Sequence, residues 1–65
     1  MSAEEKIEVL EKLKSKFMKE ADKLEHDSEF TDDSAWEAHL TSMAQGLREA
    51  ANITEKLISE VRTKW

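Results

Sequence analysis

The side chains of this sequence that could take part in metal or acid–base chemistry are two histidines and a group of carboxylates. His26 and His39 are thirteen residues apart, and neither is spaced from a second His or Cys as the ligands of a metal site are. We therefore interpret both as ordinary, partly exposed histidines. A role in sensing pH is the alternative, because histidine titrates near neutral pH.

The carboxylates are concentrated between residues 25 and 37, a stretch without Lys or Arg. Its six acids are Glu25, Asp27, Glu29, Asp32, Asp33 and Glu37. Oxygen-bearing side chains alternate at 27, 29, 31 and 33, but a calcium loop of the EF-hand type needs Gly at its sixth position and Glu at its twelfth. Those positions hold Asp32 and Ala38. We expect these acids to cap helices and to form a solvated tip. An acidic knob that binds a basic partner is the alternative.

No arrangement in the sequence predicts catalysis. The chain has no cysteine and only one glycine, Gly46, so thiol chemistry and a glycine-rich phosphate loop are both excluded. No combination of nucleophile, base and orienting residue can be assembled from the remaining side chains. We therefore predict a protein that is not an enzyme and that has no cofactor and no bound metal.

The elements that must position these residues are helices. Ser2 and Glu5 have the spacing of a capping box at the start of a first helix, predicted over about 3–26. Apolar residues follow at spacings of three and four, as on one face of an α-helix. They are Ile7, Leu10, Leu13, Phe17, Ala21 and Leu24.

A second helix is predicted over about 32–64, after an acidic joint over about 27–32. Thr31 or Ser34 is its expected cap. Its apolar residues repeat as a heptad series for nearly four repeats: Trp36, Leu40, Met43, Leu47, Ala50, Thr54, Leu57 and Val61. Ala44, Ala51, Ile58 and Trp65 widen this stripe along one edge. The phase continues through Gly46, which favours one long helix, and a break there giving three helices is the alternative.

Two amphipathic helices and a short joint predict an all-α fold, an antiparallel two-helix hairpin that forms a single domain over 1–65. Folding the chain near residue 29 places Phe17 beside Leu40 and Leu10 beside Leu47. The second helix is then the longer one and extends about 13 Å beyond the first. Four apolar residues lie on this predicted overhang: Leu57, Ile58, Val61 and Trp65.

So small a chain buries little surface, and without cysteines it cannot be stabilised by disulfides. We therefore predict assembly into a dimeric four-helix bundle, and a function as an adaptor or regulator that acts by protein–protein contact. The orientation of the two hairpins, including domain swapping, stays open. The predicted interface residues are Trp36, Leu40, Met43, Leu47, Leu57, Ile58, Val61 and Trp65.

The alternative is a subunit of a hetero-complex, such as a chaperone or an inhibitor, which folds with its partner. A net charge of −5 disfavours direct binding to nucleic acid. Mimicry of nucleic acid by an acidic surface is less favoured, because the first helix mixes lysines and glutamates. Binding to a membrane surface through the second helix is also less favoured, because it needs a basic polar face and Glu49, Glu55 and Glu60 lie there. The N-terminal residues lack the pattern of a signal peptide, so we expect a cytoplasmic protein.

Trp36-Glu37-Ala38 at the start of the second helix, followed by apolar residues at helical spacing, resembles the secreted helical hairpins of the WXG100 family. The resemblance covers the second helix only. It departs from the family's motif at Ala38, where the family has glycine, and the chain is much shorter. It implies a helical hairpin that is exported without a signal peptide, as an alternative to a cytoplasmic location.

Overall fold

The computed structural model describes residues 2–64, and it is a hairpin of two antiparallel helices that pack along their length. Helix α1 is Ala3–Phe30, of 28 residues, and helix α2 is Ser34–Lys64, of 31 residues. The Cα atoms extend over 48 × 14 × 12 Å, the dimensions of two helices side by side. The predicted all-α hairpin is confirmed.

Helix α1 begins where the capping box predicted. The Ser2 hydroxyl accepts a hydrogen bond from the backbone N–H of Glu5 at 3.1 Å, and it donates to the Glu5 carboxylate at 3.1 Å. Glu4 and Glu5 place negative charge in the first turn, where the helix dipole is positive. The start of the fold is therefore encoded locally in the sequence.

Helix α1 is longer than the sequence predicted, because it continues to Phe30 instead of ending near residue 26. The regular spacing of apolar residues ends before the last turns of α1. That spacing indicates which side of a helix is buried, and a helix can continue where no side chain is buried. The stretch contains no proline or glycine that would end a helix. Ser28 donates its hydroxyl proton to the carbonyl of Glu25 at 2.7 Å, so a polar residue is accommodated within the helix.

The predicted cap of α2 was wrong, because Asp33 caps this helix and neither Thr31 nor Ser34 does. The Asp33 carboxylate accepts hydrogen bonds from the backbone N–H groups of Ala35 at 3.0 Å and Trp36 at 3.2 Å. Ser34 is the first helical residue, two positions later than expected. The joint is thus 31–33 and not 27–32, and Thr31 is extended at its start, with φ −91° and ψ 142°.

Helix α2 passes through Gly46 without a break, as the continuous heptad phase predicted. Gly46 does not have a positive φ. A Cβ atom built at this position would meet nothing within 4 Å, so the glycine is not required by close packing within the hairpin.

The axial register of the two helices differs from the one expected. Arg62 bonds Glu11 at 3.0 Å and Glu55 bonds Lys14 at 2.8 Å, so the last turns of α2 lie level with the second and third turns of α1. The expected register set Leu10 level with Leu47, whereas these two pairs place Leu10 level with about residue 61, so it is wrong by about fourteen residues, or about 21 Å. An extended joint moves the start of α2 outward along the hairpin axis, which a fold at residue 29 did not include.

The overhang consequently lies at the opposite end. Continuing the observed register places Phe30 level with about residue 40, so 34–39 extend about 9 Å beyond α1. All six of these residues are exposed. Ile58, predicted to lie uncovered on the overhang, is 1% exposed. The predicted C-terminal overhang is therefore wrong, and Ile58 is covered, but Leu57 is 43% exposed. Trp65 lies outside the described residues.

The core between the helices is narrow and is built mainly from alanine. Its apolar members are Ala21, Leu40, Ala44, Ala51 and Ile58. Thr54 is also buried, and its hydroxyl donates to the carbonyl of Ala50 at 2.8 Å, which satisfies the side chain within its own helix. Small residues allow close approach of the helices, but among residues 2–64 the large aliphatic side chains of the core are Leu40 and Ile58 alone.

Candidate interaction surface

Helix α1 covers one edge of the apolar stripe of α2 and leaves the other edge open. The covered edge repeats every seven residues as Ala44, Ala51 and Ile58, each 1% exposed. The open edge also repeats every seven residues. It contains Trp36, Met43 and Leu57, which are 52%, 45% and 43% exposed. A hairpin alone therefore uses about half of this stripe.

The open edge of α2 faces the same side of the hairpin as an exposed apolar strip on α1. An open groove of about 310 Å³ separates the two and is lined by Lys6, Val9, Leu10, Leu57 and Val61. Val9 also lines the adjoining depression on α1 with Leu13, and these two side chains are 52% and 40% exposed. Both helices thus contribute aliphatic side chains to one surface.

We call this side of the hairpin the apolar face. Its members are Val9, Leu10, Leu13, Trp36, Met43, Leu47, Leu57 and Val61. Monomeric soluble proteins seldom leave a large apolar patch exposed without using it for contact. A face of this kind is typical of a helix pair that packs on further helices.

The opposite side of the hairpin, which we call the paired face, carries the ion pairs that join the two helices. Arg48 donates from Nε to the Glu25 carboxylate at 2.9 Å and from a terminal nitrogen to the Asp22 carboxylate at 2.9 Å. Lys14 bonds Glu55 on the same side. These contacts fix the register of the helices by charge, in addition to the packing of the core.

The electrostatics of the paired face are visible in two pKa shifts. Hydrogen bonds from Arg48 to Glu25 and then Asp22 raise the pKa of its guanidinium group. The hydrogen bond and the positive charge of Lys14 lower the pKa of the Glu55 carboxyl group. Both shifts favour the charged forms, as expected for groups that pair with an opposite charge.

The eight predicted interface residues fall into three groups. Trp36, Met43 and Leu57 are exposed on the apolar face, and Leu47 and Val61 are half-buried beside them. Leu40 and Ile58, at 4% and 1% exposure, belong to the core of the hairpin itself. The eighth residue, Trp65, cannot be assigned to either surface because it lies outside residues 2–64.

Val9 is absent from the predicted interface, although it is 52% exposed beside Leu57 and Val61. Val9 does not belong to the regular apolar series of α1, and its neighbour Leu10 does. The available signal was its position four residues before Leu13, which places both on one side of the helix.

The histidines are exposed, as the sequence predicted, and each contacts an aromatic ring of its own helix at a tilted angle. The ring centres of His26 and Phe30 are 4.7 Å apart, and those of Trp36 and His39 are 5.2 Å apart. Within residues 2–64 no group of three or more His and carboxylate side chains is placed to hold a metal ion. Of the joint acids, Asp33 acts as a helix cap, as expected for this group.

Comparison of the chain with protein-family models, with curated proteins and with solved structures finds no match in any of the three. Neither helix, within the part of the chain that the structure describes, has an apolar stretch long enough to cross a membrane. The two faces of the hairpin are therefore the features that bear on function.

Proposed function

We propose that this chain is a non-enzymatic helical interaction module, an adaptor or regulator that acts by protein–protein contact as a homo-oligomer. The observation that carries the proposal is the difference between the two faces. Ion pairs occupy the paired face, whereas Val9, Leu13, Met43 and Leu57 stay 40–52% exposed on the apolar face. Covering such side chains removes apolar area from water and favours association.

The size of the apolar face supports self-association. The Cα atoms of the whole hairpin extend 48 Å along its axis and 14 Å across it. Stable interfaces bury about 800 Å² on each partner, so a partner must extend along most of the hairpin to form one here. A second hairpin has the same length and width, and it provides a matching apolar surface.

The narrow core supports a second candidate, a subunit that folds with a different protein. In the part of the chain that the structure describes, Leu40 and Ile58 are the only large apolar side chains with nearly complete burial. A hairpin with so small a core gains little stability alone, and small domains usually obtain the remainder from a partner, a metal or disulfides. The apolar face would then contact helices of another protein, as expected for a chaperone or an inhibitor that folds with its partner.

Sedimentation equilibrium combined with far-UV circular dichroism at the same concentrations tests the proposal. A homo-oligomer whose helicity rises with concentration supports it. A chain that is fully helical and monomeric at every concentration contradicts it, since the apolar face would then be stable in water. A weakly helical monomer also contradicts homo-oligomerisation and favours the hetero-complex candidate.

A further inference from the structure

Helix α2 carries a second series of residues beside the one that packs on α1, and we call it the outer seam. Its members alternate spacings of three and four, the pattern by which one helix packs along another, and none is Asp, Glu, Lys or Arg. They are Trp36, His39, Met43, Gly46, Ala50, Ile53 and Leu57. The large apolar members are 43–60% exposed. The outer seam therefore has the spacing and the free surface to pack on one more helix.

The two ends of the outer seam differ in shape. At the joint end, Trp36 is 52% exposed on the overhang of α2, beyond the end of α1. At the far end, the open groove of about 310 Å³ lies between the helices, and its lining includes Val9, Leu10, Leu57 and Val61. Tryptophan is a frequent anchor of protein interfaces, where it is buried in a pocket of the partner. One hairpin thus carries an exposed indole at one end and an apolar groove at the other.

A twofold axis across the helices brings these two ends together in a pair of molecules. Leu10 is level with about residue 61, so the centre of the groove is level with about residue 60 of α2. Trp36 lies about 24 residues away, or about 36 Å along the helix. An axis level with residue 48, midway between the two, places Trp36 of each copy at the height of the other copy's groove. Because a twofold contact repeats every pairing, one interface buries both indoles.

The same axis matches the remainder of the outer seam to itself. It crosses the seam midway between Gly46 and Ala50, its two small residues. It also places Met43 level with Ile53 of the second copy, so a large side chain faces a large one on both sides of the centre. The two α2 helices then overlap over 34–62, nearly their whole length. A second copy therefore extends along most of the hairpin, as a stable interface requires.

The charge of the joint end also favours this axis over one parallel to the helices. The stretch 25–37 has six acids and neither Lys nor Arg, so its formal charge is −6 and the rest of the chain carries +1. The pair of Glu25 with Arg48 offsets only one of these charges. A parallel axis sets the two acidic ends about 10 Å apart, whereas the axis across the helices separates them by nearly the 48 Å length of the hairpin. That separation exceeds the Debye length of about 8 Å, so the repulsion is screened.

A parallel axis also leaves the indole without its groove. It preserves height, so Trp36 stays about 36 Å from the groove of either copy. Each overhang then extends beyond the end of the opposing α1. Only the axis across the helices brings the indole and the groove together.

We propose that Trp36 of each copy binds the groove of Val9, Leu10, Leu57 and Val61 on a second copy, with the two outer seams antiparallel and the joints at opposite ends. This proposal rests on the proposed function, since it names the partner and the orientation at the apolar face. The observation that names the partner is that the chain itself carries both halves of the contact, at positions that a single twofold axis relates.

A double-mutant cycle between Trp36 and Val9 tests this contact. Val9 is level with about residue 62, so the two side chains are about 39 Å apart within one copy and cannot touch there. We expect Trp36→Ala to raise the dissociation constant, measured by sedimentation equilibrium, at least about tenfold. Val9→Ala should raise it less. The double variant should fall at least about threefold short of the product of the two single effects, because residues in contact are not additive.

Trp36→Ala combined with Met18→Ala is the matched control, because Met18 lies on the opposite side of the hairpin with Lys14 and Arg62. The effects of these two changes should multiply. A coupling between Trp36 and Val9 no larger than that of the control would overturn the contact. Circular dichroism of each variant at dimer-forming concentration checks that the helices remain intact.

A cysteine pair tests the orientation independently. The chain has no cysteine, so Met43→Cys with Ile53→Cys introduces two thiols on the outer seam. They are ten residues apart in one copy, or about 15 Å, which is too far for a disulfide, but they are level with each other across the proposed axis. Oxidation with diamide should link two copies of the double variant and leave each single variant unlinked in non-reducing electrophoresis.

The other outcomes of this experiment separate the orientation from self-association. A double variant that sediments as a dimer and is not linked would overturn this orientation and retain the homo-oligomer. Linkage of either single variant would also overturn it, since the outer seams would then be parallel. A chain that sediments as a monomer at every concentration would refute self-association itself and leave the groove to a different protein.

Discussion

Replacement of Leu57 by aspartate is the most direct test of the apolar face. Leu57 is 43% exposed on the open edge of α2 and lines the groove with Val9 and Val61. Complete burial of a leucine contributes about 1.5–3 kcal/mol. Covering the exposed 43% therefore contributes about 0.6–1.3 kcal/mol per copy, or about 1.3–2.6 kcal/mol for a dimer with two copies. We expect the dissociation constant of Leu57→Asp to rise about tenfold to a hundredfold.

The aspartate adds a second penalty, since a carboxylate would lose water against an apolar partner, so the calculated increase is a lower bound. Met18→Asp is the matched control. Met18 is 36% exposed but lines the opposite side of the hairpin with Glu11, Lys14 and Arg62. It introduces the same charge at similar exposure, and it should leave the dissociation constant within about threefold of the original.

Sedimentation equilibrium over a range of concentrations gives both dissociation constants, and circular dichroism reports the helicity of the same samples. Equal weakening by Leu57→Asp and Met18→Asp would refute the assignment of the contact to the apolar face. An unchanged dissociation constant for Leu57→Asp would refute it as well. Weakening by Leu57→Asp alone would support the reasoning.

Three further predictions concern the hairpin itself. Gly46→Ala should raise the free energy of unfolding by about 0.5–1 kcal/mol in chemical denaturation, because a Cβ here meets nothing within 4 Å and alanine favours a helix; a loss of stability would show that a partner helix approaches Gly46 closely. Asp33→Ala should lower the free energy of unfolding by about 1 kcal/mol, whereas Ser34→Ala, inside the first turn, should change it by less than half as much; the opposite ranking would show that Asp33 is not the cap. The pKa of Glu55 lies below its usual value of 4.5, so the stabilising pair with Lys14 is present above that value and is lost as the pH falls below it. When the free energy of unfolding is measured at decreasing pH, Glu55→Gln should lose less of it over this range than the original chain. Identical pH profiles of the two proteins would contradict the pairing.

The sequence alone determined the elements of this fold. Ser2 and Glu5 define the start of α1 through their own hydrogen bonds, which no tertiary contact is needed to explain. The apolar residues of α2 keep one phase through Gly46, so the long helix follows from spacing alone. Both features depend on residues at most one helical turn apart, and such local interactions can be identified from the amino-acid order.

The end of α1 and the cap of α2 were less predictable. Several oxygen-bearing residues follow one another near the joint, and each can cap a helix. The structure selects Asp33, because α1 stays helical to Phe30 and leaves only 31–33 for the turn. Acidic residues occur both in the last turns of α1 and in the joint, so amino-acid composition alone does not show where the helix ends.

Only the tertiary structure decided the register and the identity of the open face. Helical periodicity gives the direction of a side chain around the helix axis but not its height along the partner helix. The extended joint shifts α2 until Arg62 reaches Glu11 and Lys14 reaches Glu55. The same packing covers Ile58 and leaves Leu57 open, although the two are adjacent in the sequence. Contacts between residues about forty to fifty positions apart determine which edge of the stripe remains for a partner.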